Sequence, residues 1–85
     1  MARGDKHLDG MRANPRRDWK IGQIETVCRA FGITCSAPKR GDHYKVSHPS
    51  QEEILTIPAA RPIKPYYVRR LVEFIDRVLE DSNGQ

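Results

Sequence analysis

His43 is the residue in this 85-residue chain best suited to moving protons, since an imidazole both takes and gives one near neutral pH. Lys39 and Arg40 precede it, and Lys45 comes two residues later. RNA strand scission asks a protein for such a grouping. A base removes the 2′-hydroxyl proton, the freed oxygen attacks the adjacent phosphorus, and an acid protonates the departing 5′-oxygen. Cations offset the charge that builds on the phosphoryl oxygens in the transition state. Three basic side chains around one histidine meet these needs without a metal or a cofactor. Spacing alone leaves a bystander role for His43 open.

Other candidate groups carry less. His48 lies five residues from His43, on the opposite face of the same strand and beside Pro49, and reads as a turn residue. His7 carries no signal, and Trp19 reads as a core residue. Cys28 and Cys35 match no zinc spacing and make no disulfide framework, so two reduced buried thiols and a cytoplasmic location are expected. No Gly-rich phosphate loop, paired carboxylate site or serine triad can be assembled from the chain.

The chain carries 15 Lys+Arg against 11 Asp+Glu, a net charge of +4. Residues 32–70 hold seven basic side chains (Lys39, Arg40, Lys45, Arg61, Lys64, Arg69, Arg70) against three acids (Asp42, Glu52, Glu53), which accounts for the whole excess. The stretch from Glu73 to Asp81 is net acidic, so positive potential should concentrate on one part of the surface, where a phosphate backbone would respond to it. Apolar residues make up 38% and charged residues 31%, in keeping with one small folded domain. No apolar run approaches the roughly 18–20 residues that span a bilayer, so no membrane partner is expected. The opening Met-Ala-Arg-Gly-Asp-Lys lacks an apolar h-region, so no secretory signal is expected either.

The elements that must position His43 can be read from periodicity. Residues 1–17 read as an N-terminal appendage, with a short helix over Asp5 to Ala13 carrying Leu8 and Met11 and ended by Asn14-Pro15. Asp18 is a suitable N-cap for a helix running to about Phe31, with Ile21, Ile24, Val27, Cys28 and Phe31 on one stripe and Gly32 as its left-handed stop. Three strands are predicted: Ile33 to Ala37 with Ile33, Cys35 and Ala37 inward; Asp42 to His48 with Tyr44 and Val46 inward; and Glu53 to Pro58 with Leu55 and Ile57 inward. Pro38 to Gly41 is a turn in which Gly41 supplies positive φ. A last helix starts at Pro65 and buries Val68, Leu71, Val72, Ile75, Val78 and Leu79. The expected architecture is α+β, a three-stranded antiparallel sheet with two helices on one face and an extra N-terminal helix. The domain spans residues 18–82, and 83–85 form a C-terminal tail.

The run Gly41-Asp42-His43-Tyr44-Lys45-Val46, then Ser47-His48-Pro49, the Ile-Leu-Thr-Ile-Pro of Ile54 to Pro58, and Pro62-Ile63-Lys64-Pro65 before a helix resemble the HicA family of bacterial toxins. The resemblance covers about Trp19 to Leu79. It implies a double-stranded-RNA-binding-like α-β-β-β-α fold and an mRNA interferase of a type II toxin–antitoxin system, an endoribonuclease neutralised by a HicB-type antitoxin. The family's Gly-Ser-His motif falls on Gly41-Asp42-His43, which makes His43 the catalytic residue. Lys39, Arg40 and Lys45 would then position phosphate, and Arg61, Lys64, Arg69 and Arg70 would extend the RNA-binding surface. Two positions depart from the pattern. Asp42 stands where the family has serine, and a carboxylate there would favour an imidazolium and repel RNA phosphate. Tyr66 and Tyr67 replace a small pair, either as packing residues or as a base-stacking platform. A non-catalytic RNA-binding module of the same fold is the alternative, and a protein-interaction domain a third.

Overall fold

Three helices and three strands make up a computed structural model that describes residues 3–60 and 62–83. The order is α1 (Arg3–Ala13), α2 (Ile21–Ala30), β1 (Thr34–Ser36), β2 (His43–Ser47), β3 (Leu55–Pro58) and α3 (Pro65–Asn83). The strands form the expected antiparallel meander in the order β1-β2-β3. Cys35 faces Val46 across the first pair, and Tyr44 and Val46 face Ile57 and Leu55 across the second. Alternation therefore turns Val46, Leu55 and Ile57 into the core and leaves Thr34, Ser36, His43, Lys45 and Thr56 on water. Ala37, expected to point inward, is exposed, because β1 ends at Ser36 and the pleat no longer dictates its side.

α2 starts later than its sequence suggests. Asp18 is exposed and does not cap it; the N-cap is Lys20, still extended at φ −116° and ψ 156°. The reason lies one residue earlier. Trp19 is buried, and its carbonyl accepts from the Ile63 N–H at 3.0 Å rather than from a helical amide, so the helical ladder begins one residue later, at the Lys20 carbonyl. Gln23 Oε1 then accepts from the Lys20 N–H at 2.9 Å. At the other end Gly32 adopts φ +69°. The Ile33 N–H reaches the Cys28 carbonyl at 2.8 Å and the Gly32 N–H that of Arg29 at 3.3 Å, a Schellman stop.

The first 17 residues are more than the appendage expected of them. Leu8 and Met11 on α1 are buried in the same core cluster as α2, the sheet and α3. The end of α1 is locked to the segment entering α2: the Trp19 indole N–H donates to the Asn14 carbonyl at 2.9 Å, and His7 meets the indole edge-on at 6.1 Å. Arg12 donates through both Nη atoms to the two oxygens of Asp76 on α3, at 2.7 and 2.8 Å. With α1 as a further packing partner, α3 buries a wider arc than a single stripe. Phe74, which the one-face pattern omits, is fully buried beside Leu71, Ile75 and Val78. No charged or polar residue is buried among the described residues.

Candidate active site and nucleic-acid interface

Gly41 takes φ +79°, a conformation that side chains rarely adopt, and so turns the chain out of the basic loop into β2. His43 is the first residue of that strand and lies opposite Pro58. Proline has no N–H to give; the next amide, Ala59, donates to the Asp42 carbonyl at 2.6 Å and holds the strand's start in place. The His43 side chain is 66% exposed on the open face of the sheet. It borders a groove of about 370 Å³ whose wall includes Lys39, Arg40, Lys45, Ser36 and Pro38. None of those three cations lies within ion-pair distance of a carboxylate among the described residues. Register also sets Ser36 and Thr56 on either side of Lys45, so two small hydroxyl residues flank it on the open face of the sheet. Sequence reasoning missed this row, because cross-strand neighbours appear only once the pairing is known.

Asp42 lies just outside β2, where strand alternation does not govern it. Its Oδ1 is 3.2 Å from His43 Nδ1, and its own side chain is 60% exposed. The departure from the Gly-Ser-His pattern thus sits directly against the imidazole.

The remaining basic residues divide. Lys64 is exposed just before α3. Arg70 is engaged by Glu53, which also accepts from Arg77 at 2.6 Å, so its guanidinium is already committed within the fold. Arg69 lines a different depression of about 340 Å³, among Met11, Arg12, Val72, Glu73 and Asp76. Only Lys39, Arg40 and Lys45 of the predicted binding residues therefore gather around His43. Arg61 lies outside the described residues, as do Gly84 and Gln85 of the tail.

His48 serves a turn. Its Nδ1 accepts from the Ser50 N–H at 3.0 Å with Ser50 Oγ at 2.8 Å, and its carbonyl accepts from the Gln51 N–H at 3.0 Å. Cys28 and Cys35 are free thiols; a hydrogen bond to Cys35, reinforced by burial, pushes the Cys28 thiol well up. Tyr66 is 60% exposed and meets the half-buried Tyr67 edge-on at 5.1 Å, so one ring packs and the other faces water. Among the described residues no three metal-ligating side chains cluster, and no helix is long and apolar enough to cross a membrane. Set against protein-family models, curated proteins and solved structures, the chain matches none of them.

Proposed function

We propose that this protein is an endoribonuclease that cleaves single-stranded mRNA through His43, a HicA-type toxin held in check by a HicB-type antitoxin in the cytoplasm. One observation carries the proposal: an imidazole two-thirds exposed to water borders a groove whose three cations are spent on no ion pair among the described residues. The order α2-β1-β2-β3-α3, with the apolar side of the sheet turned to the helices, supports the double-stranded-RNA-binding-like class.

In this scheme Lys39 and Arg40 hold the phosphates either side of the scissile bond, and Lys45 faces the phosphoryl oxygens. His43 takes the 2′-hydroxyl proton while the 2′-oxygen bonds to phosphorus. The P–O5′ bond breaks, and a proton returns to the 5′-oxygen from the imidazolium or a water it protonates. The products are a 2′,3′-cyclic phosphate and a 5′-hydroxyl, with no net change in protons. Exposed cations supply the charge compensation, so the reaction needs no divalent ion. An antitoxin presenting acidic side chains to the same groove would displace the substrate.

The deciding experiment incubates purified protein with single-stranded RNA in the presence of a chelator. The expected result is shortened products ending in cyclic phosphate, absent with His43→Ala. Salt-sensitive binding with no cleavage by the parent protein would instead identify a non-catalytic RNA-binding module, the reading that the Asp42 carboxylate favours.

A further inference from the structure

We infer that the open face of the sheet is a track for the sugar–phosphate backbone of single-stranded RNA, with Ser36 and Thr56 holding the chain on either side of Lys45. Such a track rests on the ribonuclease reading for its occupant, RNA, and not on cleavage itself. Outward positions on the three strands carry hydroxyls at Thr34, Ser36, Ser47 and Thr56, a cation at Lys45 and the His43 ring, and no carboxylate among the described residues. The acids nearest in sequence lie off the strands. Asp42 stands beside His43 just outside β2, Glu52 is in the bend before β3, and Glu53 is engaged by Arg70 and Arg77 of α3. A polyanion laid along β2 from Lys45 onward therefore meets hydroxyls and an ammonium group.

Register fixes how these groups lie. Ser36 pairs with Lys45 and Lys45 with Thr56, so the three form one row across the sheet, about 10 Å long at a strand spacing of about 4.8 Å. Thr34 and Ser47 pair in a second row about 7 Å further along β2, and His43 lies about 7 Å to the other side of the first. Ser36 and Lys45 also line the groove at His43, so the face continues that groove. Serine and threonine hydroxyls donate to phosphate and sugar oxygens, and such contacts position a strand without reading its bases. Sheets that read bases stack them on aromatic rings, whereas Tyr44 of β2 pairs with Ile57 on the opposite face. A protein partner would want apolar anchors here. Of the large apolar residues exposed among the described residues, Ile54 adjoins β3 and Tyr66 lies on α3, so the face offers no cluster of them.

The experiment measures the affinity of a mixed-sequence single-stranded RNA of about six nucleotides for His43→Ala protein, in which the RNA stays intact. Adding Ser36→Ala and Thr56→Val together should weaken binding by about 5–50-fold, the loss of two neutral hydrogen bonds. The slope of log affinity against log salt should not change, because hydroxyls displace no counterions. Thr56→Ser in place of Thr56→Val should recover part of the affinity. A gain-of-binding pair guards against a variant that merely misfolds. Thr56→Lys should steepen the salt slope by about 0.7, one further phosphate contact, while Ala30→Lys at the exposed end of α2 should leave it unchanged. Equal slopes for the two lysine variants, or a loss under about 2-fold on removing both hydroxyls, would overturn the track even where the parent cuts RNA. A parent that binds through these residues without cutting would overturn the ribonuclease reading and leave the track standing. No binding even at low salt would overturn both.

Discussion

On the helical side of the molecule Arg12 is gripped by both oxygens of Asp76, and Arg70 and Arg77 converge on Glu53. On the open face of the sheet Lys39, Arg40 and Lys45 border a groove with no carboxylate within ion-pair distance among the described residues. Exposed pairs of the first kind contribute about 0–1 kcal/mol each, so they act chiefly to align α1 and the segment before β3 against α3. Unpaired cations of the second kind add nothing to the fold and repel one another slightly, which leaves their field available to an anionic chain. The contrast separates cations tied into the fold from cations left unpaired, a difference that residue type alone does not reveal.

The sharpest way to break this division is to cross its two assays. His43→Ala should cut RNA cleavage by about 10²–10⁴-fold, the usual contribution of a positioned acid–base group. Its urea unfolding midpoint should not move, since the ring is exposed. Phe74→Ala should do the reverse, costing about 3–5 kcal/mol of stability in the same urea titration through the cavity it leaves. A large stability loss in His43→Ala would sink the separation.

Charge removal comes next in size. Substituting Lys39, Arg40 and Lys45 together by alanine should reduce the slope of log affinity against log salt for single-stranded RNA by about 2, at about 0.7 per phosphate contact. Arg70→Ala should leave that slope unchanged, because its guanidinium is engaged by Glu53. Equal effects from the two would erase the distinction between paired and unpaired cations.

Smaller effects test how α1 is seated. A Cβ added at Gly10 would lie 2.9 Å from Trp19 Cη2, against a ring fixed by its own hydrogen bond, whereas one added at Gly22 would meet nothing within 4 Å. Thermal unfolding should therefore show Gly10→Ala destabilised by about 1 kcal/mol, overpacking outweighing helix propensity. Gly22→Ala should instead be stabilised by about 0.5–1 kcal/mol.

Acid titration should give the smallest response. The Arg12 guanidinium holds the Asp76 carboxyl below its usual range. The pair therefore stabilises the fold fully above about pH 4, and that contribution is lost as pH falls through the depressed folded value. Asp76→Asn should flatten this acid limb by well under about 1 kcal/mol, since both side chains face water.

Much of this architecture could be read before any coordinates. The heptad-like spacing from Val68 to Leu79, the Gly32 stop and the alternation of Tyr44 and Val46 are local patterns, and each is realised in α3, α2 and β2. The cap at Lys20, the burial of Phe74 and the core role of Leu8 and Met11 were not legible. Each depends on a contact with a distant segment: Ile63 on Trp19, and α1 on α3. The site divides along the same line. His43 and its nearest cations lie within seven residues and could be grouped by spacing, but the commitment of Arg70 to Glu53 and the placing of Arg69 in another depression could not.

By itself the sequence determined the element types and which face of β2 meets water, because periodicity and glycine stereochemistry act over a few bonds. It also determined that an imidazole and three cations stand together at one turn. Only the tertiary structure decided which of the remaining basic residues are neutralised, and that the Asp42 carboxylate rests against the imidazole. Ion pairing depends on distances between segments far apart in the chain, and the orientation of a residue at a strand's edge depends on what anchors its backbone. Local pattern carries neither quantity.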